Sequence, residues 1–490
     1  MDTTVRFTPL GLATTASLAL LSTGCALLGP DALELAPSTT MPPQANVAPA
    51  SPGPPPSPVQ VDPDDLPPLP AQLTFLEWET GSVKRWSREG GAPRTLWRAG
   101  TNGEELCWFD VSRDSGIALV VAAVPGEESI TCSEGQLRLF DESRAESVHL
   151  PTKGYLGLFA LAPDGAHVAY VSVENVPHTH PDFDQDAQGE GEATLSSIAT
   201  TAPHEVRILA RCDVSTATTY NPAGCFASPI IFSADSQRVA FADERALWEA
   251  PIDGTPPRMI IEQQSVTHRF QDPSAYRGDY RPMSWSPDGA RIIAAYLDVA
   301  TGGNSPAIIE VATGTAYELP DSVDDHFPYS EFAWAPDGSA LLISNWSWGD
   351  GTPPALRLLD VLRSDEATPL LADPGPSLTH NAYGPAVAVD GGLRFGLRHH
   401  DPNVVDGNGV FRSAADGSER VLLASLPPLE SENDGPGDAA LGRLSWSPDG
   451  DAFIAHYYDQ EANRVLVGMA DGSGLWDVDT VIGDSFIWSR

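Results

Sequence analysis

From about residue 72 onward the chain alternates short apolar runs with tight polar turns. The phrase "SWSPDG" occupies residues 284–289 and recurs at 445–450, with a near copy, "AWAPDG", at 333–338. Each phrase follows a short run ending in an aromatic and precedes an apolar run, such as "ARIIAAY" (290–296) or "SALLISN" (339–345). Pro presets φ at the second position of a tight turn, Asp tolerates the next, and Gly takes the left-handed one. Pro-Asp-Gly between two apolar runs therefore reads as a strand, a hairpin turn and a second strand.

Alignment on the turn Asp recovers weaker copies at Asp114, Asp164, Asp235 and Asp390, which join Asp288, Asp337 and Asp449 in a set of seven. A third strand, a second tight turn and a fourth strand follow each hairpin, as in "RALWEAPIDGTPPRMII" (245–261) and "GVFRSAADGSERVLLA" (409–424). Four strands in a repeat of roughly 50 residues is the signature of a propeller blade. Residues 73–98 read as second, third and fourth strands without a first, and "SFIWSR" (485–490) reads as a first strand cut off at its turn. Pairing the C-terminal strand with the N-terminal three closes the ring and leaves no open edge. The expected fold is thus all-β: a β-propeller of four-stranded antiparallel blades, eight in number, with seven as the alternative. Trp285, Trp334, Trp446 and Trp488 recur at one blade position, which assigns them to packing.

The repeat resembles the TolB-type propeller, also found in relatives of dipeptidyl peptidase and prolyl oligopeptidase, over about residues 72–490. The resemblance implies fold rather than activity, because such propellers host many functions. Two departures are visible. No α/β domain precedes the repeats, so a peptidoglycan-associated partner does not carry over; and no G-x-S-x-G segment is present, which argues against a serine peptidase.

Upstream, Arg6 precedes "PLGLATTASLALL" (9–21), too short to span a membrane but suited to a signal-peptide core. It runs into "LSTGC", which resembles a bacterial lipoprotein box with Cys25 as the lipidated residue. Ala26 after that Cys favours the outer membrane, facing the periplasm or exposed at the surface. The expected division is a signal peptide (1–24), a Pro/Ala/Ser-rich disordered tether with the lipidated Cys (25–71), and the propeller (72–490). In polyproline II form a tether of ~40 residues reaches on the order of 120 Å.

Four further cysteines fit an oxidising compartment. In an antiparallel blade the start of the first strand and the second-to-third loop lie at the same end. Cys107 begins a first strand and Cys132 lies in that loop of the same blade; Cys212 and Cys225 share one interblade loop. The expected disulfides are Cys107 to Cys132 and Cys212 to Cys225.

The same geometry separates two faces. First-to-second and third-to-fourth turns are tight, whereas second-to-third and interblade loops are long and rich in aromatics, His, Arg and Asp. Binding residues concentrate on long loops carried by a rigid scaffold. One insertion, 175–197, offers His178, His180, Asp182, Asp184 and Asp186, imidazole and carboxylate groups of the kind that ligate calcium or zinc, or else a solvated acidic loop. Arg269, Tyr276, Arg277, Tyr280 and Arg281 interleave guanidinium and ring, the usual anchors of a recognition surface. Asp325, His326, Trp346, Trp348, His399, His400, Asp401, Tyr457 and Tyr458 extend the candidate face. No catalytic residue is singled out.

The chain carries 67 acidic and 28 basic residues, a net charge of -39, with lysine only at 84 and 153. Nucleic acid requires clustered cations, so it is excluded as a partner, and attachment to a membrane is expected only through the lipid on Cys25. Two function classes are left. One is a monomeric, non-catalytic envelope propeller that binds a protein, peptide or glycan. The other is a metal-assisted hydrolase, lactonase or lyase acting at the channel mouth.

Overall fold

A computed structural model describes residues 57–490 with interruptions, the longest at 124–135, 175–190, 215–225, 264–278, 320–330, 345–355, 371–379, 400–407 and 427–440. Among the described residues the regular structure is all strand, arranged in eight sheets. Sheet 1 joins the two ends of the repeat region in the order Phe486–Ser489, Gln72–Glu77, Ser82–Trp86, Arg94–Trp97. Its register sets Trp488 against Leu73 and Phe486 against Phe75. Sheets 2 to 8 each take four strands consecutive in sequence, and their first strands are Glu105–Val111, Tyr155–Leu161, Ala227–Phe232, Asp279–Trp285, Glu331–Trp334, His380–Val387 and Leu441–Trp446. Phe486–Ser489 lies beside the first strands of both sheet 8 and sheet 2.

The second strands show why these runs are apolar without interruption. In Arg291–Leu297, Ile292, Ile293 and Ala294 are all fully buried. Successive side chains leave a strand on opposite faces. Ile292 and Ala294 accordingly enter a cluster shared with Leu247 and Ala240 of sheet 4, while Ile293 enters one shared with Leu341 and Ile343 of sheet 6. A sheet covered on both faces has no use for a polar alternation. Eight such clusters fill the interfaces between successive sheets, including one between sheets 8 and 1 and one between sheets 1 and 2.

The repeated phrase builds both the turn and the seam. Ser286 Oγ donates to Asp288 Oδ1 at 2.5 Å, Asp288 Oδ1 accepts from Ala290 N at 3.0 Å, and Gly289 N donates to Ser286 O at 2.9 Å. Gly289 sits at φ +67, where an L side chain is strained. The aromatic that precedes the turn reaches back to the preceding sheet: Trp285 Nε1 donates to Ile231 O at 3.2 Å and Trp488 Nε1 to Ser445 O at 3.3 Å. Arg238 of sheet 4 completes the link, with its guanidinium 4.8 Å from the Trp285 ring centroid and Nη2 donating to Gly289 O at 3.3 Å.

Described residues upstream of residue 72 are already part of the packed unit. Val59–Gln60 pairs in parallel with Leu475–Asp477, giving sheet 8 a fifth strand. Leu66 and Leu69 are buried against sheets 8 and 1, and Trp86 Nε1 donates to Pro67 O at 2.7 Å. A Pro-rich composition does not prevent this, because prolines need no partner for an N–H and their carbonyls still accept. Among the described residues no helix is long and apolar enough to cross a membrane.

Candidate functional site

First strands begin, and second strands end, on the side opposite the Pro-Asp-Gly turns. On that side a cleft of 580 Å³ opens among the first strands of sheets 8, 1 and 2. Its walls come from Leu106, Cys107, Trp108 and Phe109 of sheet 2, Ser485 to Ile487 of sheet 1, and Arg443 of sheet 8, with Leu76 and Gly81 beside them.

Two side chains stand out, and each follows an irregularity in its strand. Pairing shifts register between Leu106 and Trp108, and again between Leu441 and Arg443. A bulge re-aims the next side chain at a strand end. Trp108 is left 47% exposed, its ring centroid 6.2 Å from that of Phe159. Arg443 is exposed, with its guanidinium 5.4 Å over the ring of buried Phe486 and no ion pair among the described residues. A cation over an aromatic face is held by the ring quadrupole without neutralising its charge. Arg443 is the one charged side chain among the described residues of the cleft lining.

Two carboxylates on first strands have raised pKa values. Glu331, at the start of the first strand of sheet 6, accepts the backbone N–H of Gly384 from sheet 7. Enclosure by protein pushes its carboxyl up, opposed by that N–H and by the charge of Arg443. Asp110, one residue past Phe109, accepts from Val111 N at 2.7 Å and Leu161 N at 3.1 Å. Burial drives the Asp110 carboxyl above its ordinary range against both bonds. Its oxygens are turned into the junction of sheets 2 and 3.

Of the residues anticipated from the sequence, Tyr280 and Tyr457 are half-buried against the hydrophobic clusters of sheets 4–5 and 7–8. The Tyr280 ring lies 5.0 Å from that of Tyr296, at 37°. Arg281 is exposed on the first strand of sheet 5. His399 ends the second strand of sheet 7 opposite His380, and Tyr458 ends that of sheet 8 opposite Asn463. Cys107 and Cys212 have disulfide-bonded sulfurs. Cys25, Cys132, Cys225, His178, His180, Asp182, Asp184, Asp186, Arg269, Tyr276, Arg277, Asp325, His326, Trp346, Trp348, His400 and Asp401 lie outside the described residues. Among the described residues no three His, Cys, Asp or Glu come together as metal ligands.

Trp108, Arg443 and Glu331 were missed because each sits in a strand, not a long loop. The available signal was positional: Trp108, Glu331, Arg443 and Ser485 each lie three residues before the recurrent strand-end position held by Val111, Trp334, Trp446 and Trp488.

The chain is similar to several solved structures, each at low identity. It resembles TolB. The TolB of Acinetobacter baumannii shares 13% identity at a TM-score of 0.34, covering 79% of this chain and 83% of that one. An oligogalacturonate lyase from Vibrio parahaemolyticus shares 12% at 0.44, covering 84% and 92%. Prolyl oligopeptidase B from Galerina marginata shares 11% at 0.46, covering 77% of this chain and 51% of its own. No family model matches the chain, and no curated protein does. At such identities none of these proteins lends the chain its activity.

Proposed function

We propose that the chain is a non-catalytic envelope lipoprotein, anchored by Cys25 to the outer membrane, whose closed eight-bladed propeller presents a binding face. The eight interface clusters and the pairing of Phe486–Ser489 with Gln72–Glu77 support eight blades and ring closure. Disulfides from Cys107 to Cys132 and from Cys212 to Cys225 belong to the same reading and suit an oxidising compartment. The observation that carries the binding function is the cleft with exposed Trp108 and Arg443. A tryptophan left 47% exposed in a concavity, beside a guanidinium, is the chemistry of a recognition anchor.

A photo-cross-linking side chain placed at Trp108 and, separately, at Asp288 on the tight-turn side tests the choice of face. Envelope partners are expected to be captured from position 108 and not from 288; the reverse pattern would sink the assignment. Cys25→Ala is expected to move the protein out of the membrane fraction.

A further inference from the structure

We infer that the cleft at Trp108 and Arg443 takes a ligand that joins a carboxylate to an apolar ring or side chain, with the carboxylate at Arg443 and the apolar part against Trp108. The inference rests on the binding-face reading above and adds the ligand's chemistry to it.

Three observations lead there. The described lining offers one charged side chain, a cation, in a chain whose net charge is -39. Several arginines of the chain are held by carboxylates, as Arg258 is by Glu249 at 2.8 Å and Arg464 by Asp477 at 2.8 Å. Arg443 makes no such pair among the described residues, so its exposed charge is available to an anion entering the cleft. Glu331, whose carboxyl the charge of Arg443 reaches, accepts the Gly384 N–H and makes no ion pair with Arg443 among the described residues.

Second, the Arg443 guanidinium lies 5.4 Å over the Phe486 ring at the cleft wall, and the planar fork of a guanidinium matches the two oxygens of a carboxylate. Ser485, in the same lining, adds a hydroxyl that can donate.

Third, the rest of the wall is apolar or aromatic, with Trp108, Phe486 and Ile487 among it. A bare inorganic anion would leave that surface wet, whereas an apolar group attached to the anion covers it.

Binding of 3-phenylpropionate and of its uncharged amide to the full chain, followed by calorimetric titration, tests this. The acid is expected to bind about tenfold or more tightly than the amide, as a charge-assisted hydrogen bond provides. Added salt is expected to narrow the gap. Arg443→Gln should remove the advantage of the acid and leave the amide unchanged, Arg443→Lys should keep part of it, and Trp108→Ala should weaken both ligands. Equal binding of acid and amide, an acid preference that survives Arg443→Gln, or no binding of either at millimolar concentration would overturn the inference. In the last case cross-links from position 108 would still uphold the binding face, so the two readings fail separately. Repeating the titration with acetyl-Ala-Phe as acid and amide separates a peptide C-terminus, which should bind more tightly than phenylpropionate, from a small acidic molecule, which should not.

Discussion

Trp446 donates its indole N–H to the carbonyl oxygen of Gly384 at 2.8 Å, across the interface between two successive sheets. Trp285 and Trp488 make the same kind of link, each to the first strand before its own. Trp334, at the equivalent place, has an indole N–H without a hydrogen bond in the structure. Trp446→Phe should therefore leave the Gly384 carbonyl buried without its donor and cost about 1–3 kcal/mol. Trp334→Phe should cost distinctly less. Urea unfolding midpoints of the two variants check the ordering, and equal losses would remove the bond from the account.

Stability should also respond to pH through Asp110. Its carboxyl is raised by burial, so in the window that opens at the ordinary Asp value of about 3.9 the folded state holds the proton longer than the unfolded one. The group's contribution is thus unfavourable above the folded value and vanishes below about 3.9, and stability from this group falls as pH rises through the window. Asp110→Asn should abolish that slope, so the difference between wild type and variant should shift against the wild type as pH rises. Thermal midpoints of both proteins across the acidic to neutral range read it directly, and parallel curves would contradict the prediction.

The turn glycines separate backbone strain from crowding. Gly289 stands at φ +67, and an added Cβ would lie 2.5 Å from Arg238 Nη2; Gly472 stands at φ +79 with nothing within 4 Å. Gly472→Ala should cost about 1–2 kcal/mol from the left-handed backbone alone. Gly289→Ala should cost more, because it also displaces the guanidinium from Trp285. Chemical denaturation of the pair decides it.

Reduction should destabilise the protein by about 2–4 kcal/mol for each disulfide lost. Peptide mapping without reductant should recover Cys107 joined to Cys132 and Cys212 joined to Cys225. A Cys107–Cys212 peptide would require another arrangement of strands.

A binding scaffold should carry no stoichiometric ion at His178, His180, Asp182, Asp184 and Asp186. Elemental analysis of protein purified without a His tag, with thermal midpoints before and after EDTA, tests this. An ion lost on His178→Ala would bring the metal-assisted enzyme forward.

How legible each feature was depends on how local its cause is. The Asp288 turn is built by neighbouring residues, Ser286, Asp288, Gly289 and Ala290, so the hairpins and the four-stranded antiparallel sheets could be read from the chain. Trp108 and Arg443 are more than 300 residues apart in sequence and meet only because sheets 8, 1 and 2 lie together. Nothing in either local context announces the other. Strand bulges then aim both side chains, and a bulge is not visible in apolar periodicity. The packing of Leu66 and Leu69 was hidden for a different reason: their Pro-rich surroundings satisfy every compositional sign of a tether, while burial depends on Trp86 and sheet 8.

The pairing of Phe486–Ser489 with Gln72–Glu77 sets an order of assembly as well as an architecture. Ribosomes deliver the chain from its N-terminus, so three strands of sheet 1 are made long before their partner, and Val59–Gln60 long before the strands of sheet 8 it joins. Sheets 2 to 7 have their four strands in hand within one stretch of synthesis. Sheet 1 stays one strand short until Phe486–Ser489 emerges, so its closure waits on strands separated by most of the chain.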